Sequence, residues 1–175
     1  LNKQIELTKK EINYFDSLIT LMNNASYYDA LEIKEELEQQ GYLKKKTKTN
    51  SIRKKKHPSF ETYYTKDGIE IWVGKNNLQN DYLTFKHAHR YDTWFHVKDM
   101  PGSHVIVKGN DLDEYTIRLA SNMAACLSKG KNSSSVPVNY TLVKTLKKPH
   151  GSKPGQVLLD SYKTIYIDPD EACFN

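Results

Sequence analysis

A short segment, residues 92–104, carries the densest group of side chains that could do chemistry. Strand-like alternation at residues 93–98 would place Trp94, His96 and Lys98 in a row on one face. An aromatic plane beside a cation suits base stacking and phosphate contact, so we expect this face to bind nucleic acid. The alternative is that Trp94 belongs to the core and His96 is a satisfied polar group, because tryptophan is highly buried on average.

The turn after this strand offers a second kind of contact. Its Pro-Gly-Ser sequence at residues 101–103 could expose backbone N–H groups and so form an anion nest. Ser103 and His104 are therefore further candidates for contact with a nucleic-acid phosphate.

The same segment also contains the residue types of a hydrolase. Ser103 could act as the nucleophile, with His96 or His104 as its base. Asp92 or Asp99 could orient that base. These residue types often occur together by chance, and a triad is defined by geometry rather than by closeness in sequence. The glycine pattern of a nucleophile elbow does not surround the serine, so we expect that the chain is not an enzyme.

The histidines of this region make a weak metal site. His87 and His89 are two residues apart on a predicted helix, so their side chains diverge. No cysteine stands near them or near His96 and His104. The sequence therefore predicts neither a bound metal nor another cofactor.

Two lysine-rich loops follow. The first, residues 128–135, offers cations and hydroxyl donors to phosphate oxygens, but it lacks the spacing of a Walker loop. The second, residues 144–155, is held in shape by two prolines and two glycines. The alternative for the first loop is that it is only a solvated connection between a helix and a strand. We expect both loops to bind RNA or DNA through Lys129, Lys131, Ser133, Ser134, Lys144, Lys147, Lys148 and Lys153.

The net charge of +5 conceals an uneven distribution of charge. Residues 44–56 hold 8 basic and no acidic side chains, and residues 115–159 hold 7 basic and no acidic side chains. The other three segments of the chain are acidic overall. Such asymmetry indicates a polyanionic partner, although the first block could be only a solvated linker.

Composition excludes several classes of protein. No apolar run approaches the roughly 18–20 residues of a transmembrane helix, so we expect no membrane insertion. No basic-then-apolar signal segment opens the chain. Two cysteines, Cys126 and Cys173, are too few for a disulfide scaffold. The first residue is Leu1 rather than Met, which suggests a fragment of a longer protein.

Residues 1–43 predict a helical hairpin at the end of a coiled coil. Ile5, Ile12 and Ile19 repeat every seven residues, as in a heptad seam that needs a partner strand. A capping box at Ser26 would start the second helix, and a C′ glycine would end it. The apolar stripe predicted for that helix consists of Tyr28, Leu31 and Leu37.

Residues 44–57 are predicted to form a basic linker, and residues 58–175 a second unit. Asp67-Gly68 is a strong hairpin signal between two strand patterns. Asp111 with Glu114 predicts the start of a long helix. The unit is predicted to be α+β, a mostly antiparallel sheet with two packed helices preceded by the helical hairpin. Its strands are expected at 61–65, 69–73, 93–98, 104–108, 136–144, 156–159 and 164–168, and its helices at 78–90 and 111–127.

Three strings in this unit resemble the NFACT-R domain. This domain is the C-terminal domain of the RqcH proteins, which are also named fibronectin-binding protein A-like proteins. The strings are Asp92–His104, Ser128–Val138 and Lys147–Gly155, and they come in the order of the family. The resemblance covers about residues 58–170, and residues 1–43 resemble the end of the coiled-coil region that precedes the domain in the family.

The resemblance implies an RNA-binding module of a bacterial ribosome-quality-control factor. Such factors bind the obstructed large ribosomal subunit with peptidyl-tRNA and recruit alanyl-tRNA, so that the stalled chain receives a C-terminal alanine tail. The implied partners are therefore large-subunit RNA and tRNA, and the implied location is cytoplasmic and ribosome-associated. From this chain alone we expect RNA or ribosome contact rather than tailing.

A second function is also implied by the resemblance. Members of the family in Gram-positive bacteria have been described as surface adhesins for fibronectin or fibrinogen. A basic, hairpin-rich module with exposed strand edges could bind a protein by strand addition. The alternative prediction is therefore a fibronectin- or fibrinogen-binding adhesin fragment at the cell surface.

Overall fold

The computed structural model describes residues 1–45 and 57–174, so residues 46–56 of the predicted linker lie outside the described residues. None of the helices in these two ranges is long and apolar enough to cross a membrane. The helices are α1 (Asn2–Met22), α2 (Tyr27–Gln39), α3 (Asn77–Tyr82) and α4 (Glu114–Cys126), with a π-helical turn at Leu83–His87 and 3-10 turns at Val143–Thr145 and Glu171–Cys173.

The strands form a mostly antiparallel sheet, so the predicted α+β fold is confirmed. Its order is β1-β2-β4-β3-β5-β8, and each neighbouring pair is antiparallel. A separate ribbon pairs β6 with β7. The strands are β1 (Glu61–Tyr64), β2 (Glu70–Val73), β3 (Thr93–Val97), β4 (Val105–Val107), β5 (Val136–Leu142), β6 (Leu146–Lys147), β7 (Leu158–Leu159) and β8 (Lys163–Ile167).

The first two helices form a hairpin as predicted. Ser26 Oγ accepts a hydrogen bond from the Asp29 N–H at 3.2 Å, and the Asp29 carboxylate accepts one from the Ser26 N–H at 2.9 Å. This is the predicted capping box, and it satisfies two backbone donors at the start of α2. Gly41 follows α2 with a φ of 82°, a conformation that suits glycine at a C′ position.

The heptad seam of α1 lies on the surface. Ile5, Ile12 and Ile19 are 46%, 61% and 65% exposed. The contact with α2 uses other residues of α1, Tyr14 and Leu18, which pack in a small core between the two helices. Among the described residues the predicted seam therefore has no partner strand.

The apolar stripe predicted for α2 is wrong at two of its three positions, whereas Leu37 packs against the small core between the two helices. Tyr28 and Leu31 are exposed, and Ile33 takes their place in the contact with α1. The inner face of α2 also contains two acidic residues, Asp29 and Glu36, which are buried. The physical reason is that α2 packs against α3 through polar side chains, so hydrophobicity does not mark its buried face.

One face of the sheet is covered by α4. Its Ala120, Met123 and Ala124 pack on Phe95 and Val97 of β3, and all five are almost fully buried.

The start of α4 differs by two residues from the predicted capping box. Asp113, not Asp111, is the N-cap, and its carboxylate accepts a hydrogen bond from the Thr116 N–H at 2.8 Å. The two acidic residues are close in sequence and equally suited to capping, so sequence alone did not separate them.

The opposite face of the sheet is covered by a short helix and a turn. The predicted helix at residues 78–90 is wrong in its extent, because α3 ends at Tyr82 and a π-helical turn, Leu83–His87, replaces its second half. Leu83 is fully buried against this face. The turn ends at Ala88, whose extended backbone leads the chain to the loop before β3.

Candidate nucleic-acid interface

Trp94 lies in the core rather than on a binding surface. Its side chain is 1% exposed and packs with Trp72, Leu83 and Ile106. β3 lies between β4 and β5, and both of its faces are covered. The expectation that Trp94 stacks on a base is therefore wrong, because strand alternation separates two faces without placing either of them in solvent.

The two histidines of the predicted site pack around this tryptophan. The His96 ring stacks on Trp94 with 5.6 Å between centroids, and its Nδ1 lies 2.7 Å from the Val97 carbonyl oxygen. His104 is 3% exposed, and its Nδ1 lies 2.7 Å from Thr84 Oγ1. Burial lowers the pKa of both rings, so they are uncharged near neutral pH. They offer no positive charge to a phosphate.

Ser103 is also poorly placed for RNA contact, whereas Lys98 keeps part of its surface accessible. Ser103 is 2% exposed, and its N–H donates to the Leu127 carbonyl oxygen at 3.1 Å, while Lys98 is half-buried. The rings of His96 and His104 make their hydrogen bonds to other groups, so the described residues do not form a Ser-His pair. No group of three or more His, Cys, Asp and Glu among the described residues could hold a metal ion.

The first lysine-rich loop is held by its own hydrogen bonds. Ser128 Oγ donates to the Ala125 carbonyl oxygen at 2.7 Å and accepts from the Gly130 N–H at 3.0 Å. A Cβ on Gly130 would lie 2.9 Å from Met100 Sδ, so a larger residue here would require the flexible Met100 side chain to shift. The loop therefore presents its remaining side chains from a fixed backbone.

Those remaining side chains differ in availability. Ser133 and Ser134 are exposed, and Lys131 is half-buried with no ion-pair partner among the described residues. Lys129 Nζ lies 2.7 Å from Asp16 Oδ2 of α1. Lys131 is thus the cation that this loop most readily offers to a phosphate.

The start of the second lysine-rich loop carries exposed cations. Lys147 Nζ lies 3.4 Å from Asp160 Oδ2, and Lys148 Nζ lies 2.8 Å from Asp81 Oδ2. The Lys147 side chain is 69% exposed and that of Lys148 is 45% exposed. Exposed ion pairs are worth about 0–1 kcal/mol, so a phosphate can replace the carboxylate partner at little cost.

Lys153, predicted as a nucleic-acid contact, instead binds the helical hairpin. Its Nζ lies 4.7 Å from the centroid of the Tyr14 ring and 4.9 Å from that of Tyr42. The same atom donates to Gln40 Oε1 at 3.1 Å. Two aromatic faces and an amide oxygen occupy this ammonium group. The second loop is therefore divided between exposed lysines at its start and a structural lysine near its end.

A buried polar network, which the sequence did not reveal, joins the hairpin to α3. Asn77 Nδ2 donates to Glu36 Oε1 and to Ser17 Oγ, each at 3.2 Å, and Tyr14 OH donates to the same glutamate oxygen at 2.9 Å. Burial raises the pKa of Glu36, whose other oxygen has no hydrogen-bond partner among the described residues. A run of amide side chains around Asn77, at the start of α3, is the only signal in the sequence.

A second group that sequence reasoning missed lies before β3. We call Arg90, Tyr91 and Lys144 the Tyr91 patch. Arg90 Cζ lies 5.3 Å from the centroid of the Tyr91 ring, and Lys144 Nζ lies 5.1 Å from it. All three side chains are exposed. The available signal was residues 82–91, which contain lysine, arginine and histidine but no acidic residue.

Comparison with known families identifies two matching regions. Residues 56–161 match the family model described as the NFACT protein RNA binding domain. Residues 1–56 match the model of the NFACT N-terminal and middle domains. The boundary between the two matches falls close to the predicted start of the second unit at residue 58.

Several bacterial proteins are similar over almost the whole chain. It is 48% identical over 171 residues to the Rqc2 homolog RqcH of Bacillus subtilis (strain 168), and the aligned region covers 97% of this chain and 30% of that protein. It is 42% identical over 172 residues to the Rqc2 homolog RqcH of Streptococcus pneumoniae (strain ATCC BAA-255 / R6), with 97% and 31% covered. The chain thus spans less than a third of the length of these relatives.

A solved structure shares both fold and sequence. It is the C-terminal of the fibronectin/fibrinogen-binding protein from Streptococcus suis, FBPS, with a TM-score of 0.89 and 42% sequence identity. The similarity covers 99% of this chain and 69% of that chain. With a family model that spans more than half of its residues and RqcH relatives aligned along nearly all of it, the chain belongs to the NFACT family of RqcH-like proteins.

Proposed function

We propose that this chain is an RNA-binding module of a bacterial ribosome-quality-control factor and that it contributes binding rather than catalysis. The supporting observation is the exposed or half-exposed position of Lys131, Lys144 and Lys147 in the acid-free stretch 115–159. Such cations neutralise phosphates and supply affinity without reading sequence. In the whole protein, the partners would be large-subunit RNA and tRNA in the cytoplasm, and the module would support C-terminal alanine tailing.

Binding to RNA should weaken steeply with salt. For bulk tRNA and a 20-nucleotide single-stranded RNA, we expect the logarithm of the association constant to fall linearly with the logarithm of salt concentration. Replacing Lys131, Lys144 and Lys147 together with alanine should reduce the slope by about 2, because each phosphate contact contributes about 0.7–0.9. Fluorescence anisotropy at several salt concentrations measures both quantities.

A matched variant separates local contact from net charge. Alanine at Lys9, Lys66 and Lys163 removes the same charge from exposed positions outside the acid-free stretch and should leave the slope almost unchanged. Equal losses in the two triple variants would contradict a localised interface. Salt-insensitive RNA binding, or no binding at all, would overturn the proposed function.

Fibronectin binding is a second candidate function, favoured by the similarity of fold and sequence to the fibronectin/fibrinogen-binding protein of Streptococcus suis. We propose that the chain can also bind fibronectin, with an affinity in the micromolar range or better. Surface plasmon resonance on immobilised fibronectin should then show saturable binding that survives nuclease treatment. Binding that disappears after nuclease treatment would mean that contaminating nucleic acid bridges the two proteins, and this candidate would be rejected.

A further inference from the structure

Tyr91 is an exposed aromatic side chain in a basic setting. It lies in the loop between the π-helical turn and β3, and it is 49% exposed. Its ring has the Arg90 guanidinium and the Lys144 ammonium within 5.3 Å of its centroid. Tyr64 and Tyr166 are more exposed, but among the described residues neither ring has a cation over it.

The backbone that carries this ring is fixed on both sides. The Asp92 carboxylate accepts hydrogen bonds from the His89 N–H at 2.7 Å and from the Gly109 N–H at 2.9 Å. The Lys144 N–H donates to the Arg90 carbonyl oxygen at 2.9 Å, which ties the loop to the end of β5. The backbone on which the ring is mounted is therefore fixed before any ligand arrives, and a preorganised backbone loses less conformational entropy on binding.

The surroundings of the patch extend its positive charge. Lys148 Nζ lies 5.7 Å from the centroid of the Phe85 ring, on the π-helical turn that also carries the exposed Lys86. A π-helical turn is rare and often marks a functional site. Two acidic residues close to these in the chain or in contact with them have partners: Asp81 pairs with Lys148, and Asp92 is buried with both oxygens hydrogen-bonded.

A nucleobase is the ligand that this combination fits. An exposed cation–π contact is worth about 0.5–1 kcal/mol, whereas stacking of a base on an aromatic side chain is worth about 1–3 kcal/mol. A base can therefore displace a cation from the ring. The displaced arginine or lysine is long enough to bind a neighbouring phosphate instead. A duplex does not offer this contact, because its bases are stacked on each other.

We propose that the Tyr91 patch is a stacking site for one unpaired base of single-stranded RNA, with Arg90 and Lys144 on the adjacent phosphates. This inference rests on the proposed RNA-binding function and specifies its substrate as unpaired rather than duplex RNA. No selectivity among the four bases is required, since each of them has a π face.

The test uses a single-stranded RNA that contains 2-aminopurine, whose fluorescence is quenched by stacking. Titration with the unaltered chain should quench the fluorescence. Tyr91→Leu should abolish the quenching and weaken single-stranded RNA binding about 5- to 150-fold. Tyr91→Phe keeps the ring and should restore both, and Tyr166→Leu should resemble the unaltered chain. Thermal unfolding monitored by circular dichroism confirms that each variant is folded.

The outcomes separate this inference from the function on which it rests. If Tyr91→Leu binds single-stranded RNA as tightly as the unaltered chain, with the salt dependence intact, the stacking site is rejected while the RNA-binding function stands. An equal loss of affinity for duplex RNA in this variant also rejects it, because the residue would then act on the whole surface. If the unaltered chain binds no RNA, both proposals fail together.

Discussion

Trp94→Ala should lower the free energy of unfolding by about 3–5 kcal/mol, the cost of removing a large aromatic side chain from a packed core. Trp94 is 1% exposed and packs between Trp72, Leu83 and Ile106, so the cavity would open in the centre of the molecule. Small domains are stable by about 5–15 kcal/mol, and the variant should therefore be only marginally folded. Urea unfolding followed by circular dichroism measures the difference.

A second variant keeps this prediction testable if the alanine variant does not fold. Trp94→Phe retains an aromatic ring and removes an indole N–H that is buried with no partner in residues 1–45 and 57–174. It should cost less than the alanine variant, because loss of an unsatisfied donor offsets part of the lost packing. Its affinity for RNA, measured on folded protein, should be unchanged. Reduced affinity in a stable Trp94→Phe chain would instead restore Trp94 as an RNA contact.

Asn77→Leu should lower the free energy of unfolding by about 2–4 kcal/mol, because hydrogen bonds to charged groups contribute about 1.5–3 kcal/mol and neutral ones about 1 kcal/mol. The substitution removes the donor to Glu36 Oε1 and to Ser17 Oγ. Glu36 is fully buried, and of its two donors in the part of the chain that the structure describes, Tyr14 OH would remain. Denaturant unfolding gives the difference, and Asn132→Leu on the surface is the matched control.

The cost of Asn77→Leu should increase with pH. Burial raises the folded-state pKa of Glu36, while the hydrogen bonds from Tyr14 and Asn77 oppose this rise. A raised carboxyl pKa means that the folded state holds the proton more tightly. The protonated Glu36 contributes its full stabilisation at pH values below its unfolded-state pKa. This contribution is lost as pH rises through its folded-state pKa. Removing Asn77 raises the folded-state pKa of Glu36 further, so the folded state loses more stability as pH rises.

Adding Glu36→Gln should reverse part of this effect. The double variant has no charge at position 36, so its loss of unfolding free energy should be smaller than that of Asn77→Leu alone. This loss should depend little on pH between about 5 and 8, because the side chain at position 36 is then neutral. A penalty for Asn77→Leu that is equal at all pH values, or that the double variant does not reduce, would show that Glu36 stays protonated throughout and that the network is not electrostatic.

Elements with local signals were predictable from the sequence. The capping box at Ser26 and the hairpin at Gly68 depend on residues within a few positions of each other, and the structure has both. Alternation along β3 correctly separated Phe95 from Trp94. These features specify the α+β fold because the backbone geometry of turns, caps and strands is set by neighbouring residues.

The predicted interface failed where burial depends on distant parts of the chain. Trp94, His96 and His104 occupy a face that becomes core only because the π-helical turn and β6 cover it. Lys153 was predicted as a phosphate contact, and its partners Tyr14 and Tyr42 are more than 100 positions away. Alternation and charge cannot show such contacts, since both describe a residue only by its neighbours in sequence.

The missed residues have a similar explanation. Tyr91 and Arg90 lie in residues 57–114, which are acidic overall. The net charge of this whole segment conceals the short run 82–91, which has no acidic residue. Lys144, whose ammonium group lies over the Tyr91 ring, comes from the 3-10 turn that follows β5. The lysines predicted at positions 131, 144 and 147 do reach the surface, and their contact with RNA stays a prediction.

The polar attachment of the hairpin has a mechanical consequence. α1 has 21 residues and is therefore about 32 Å long. Near the C-terminal end of α1, Ser17 Oγ accepts a hydrogen bond from Asn77 Nδ2. Asn77 begins α3, and α3 continues into the π-helical turn that precedes Tyr91. The direction of α1 is therefore coupled through α3 to the orientation of the Tyr91 patch, so a displacement of the far end of the helix would be transmitted to that patch.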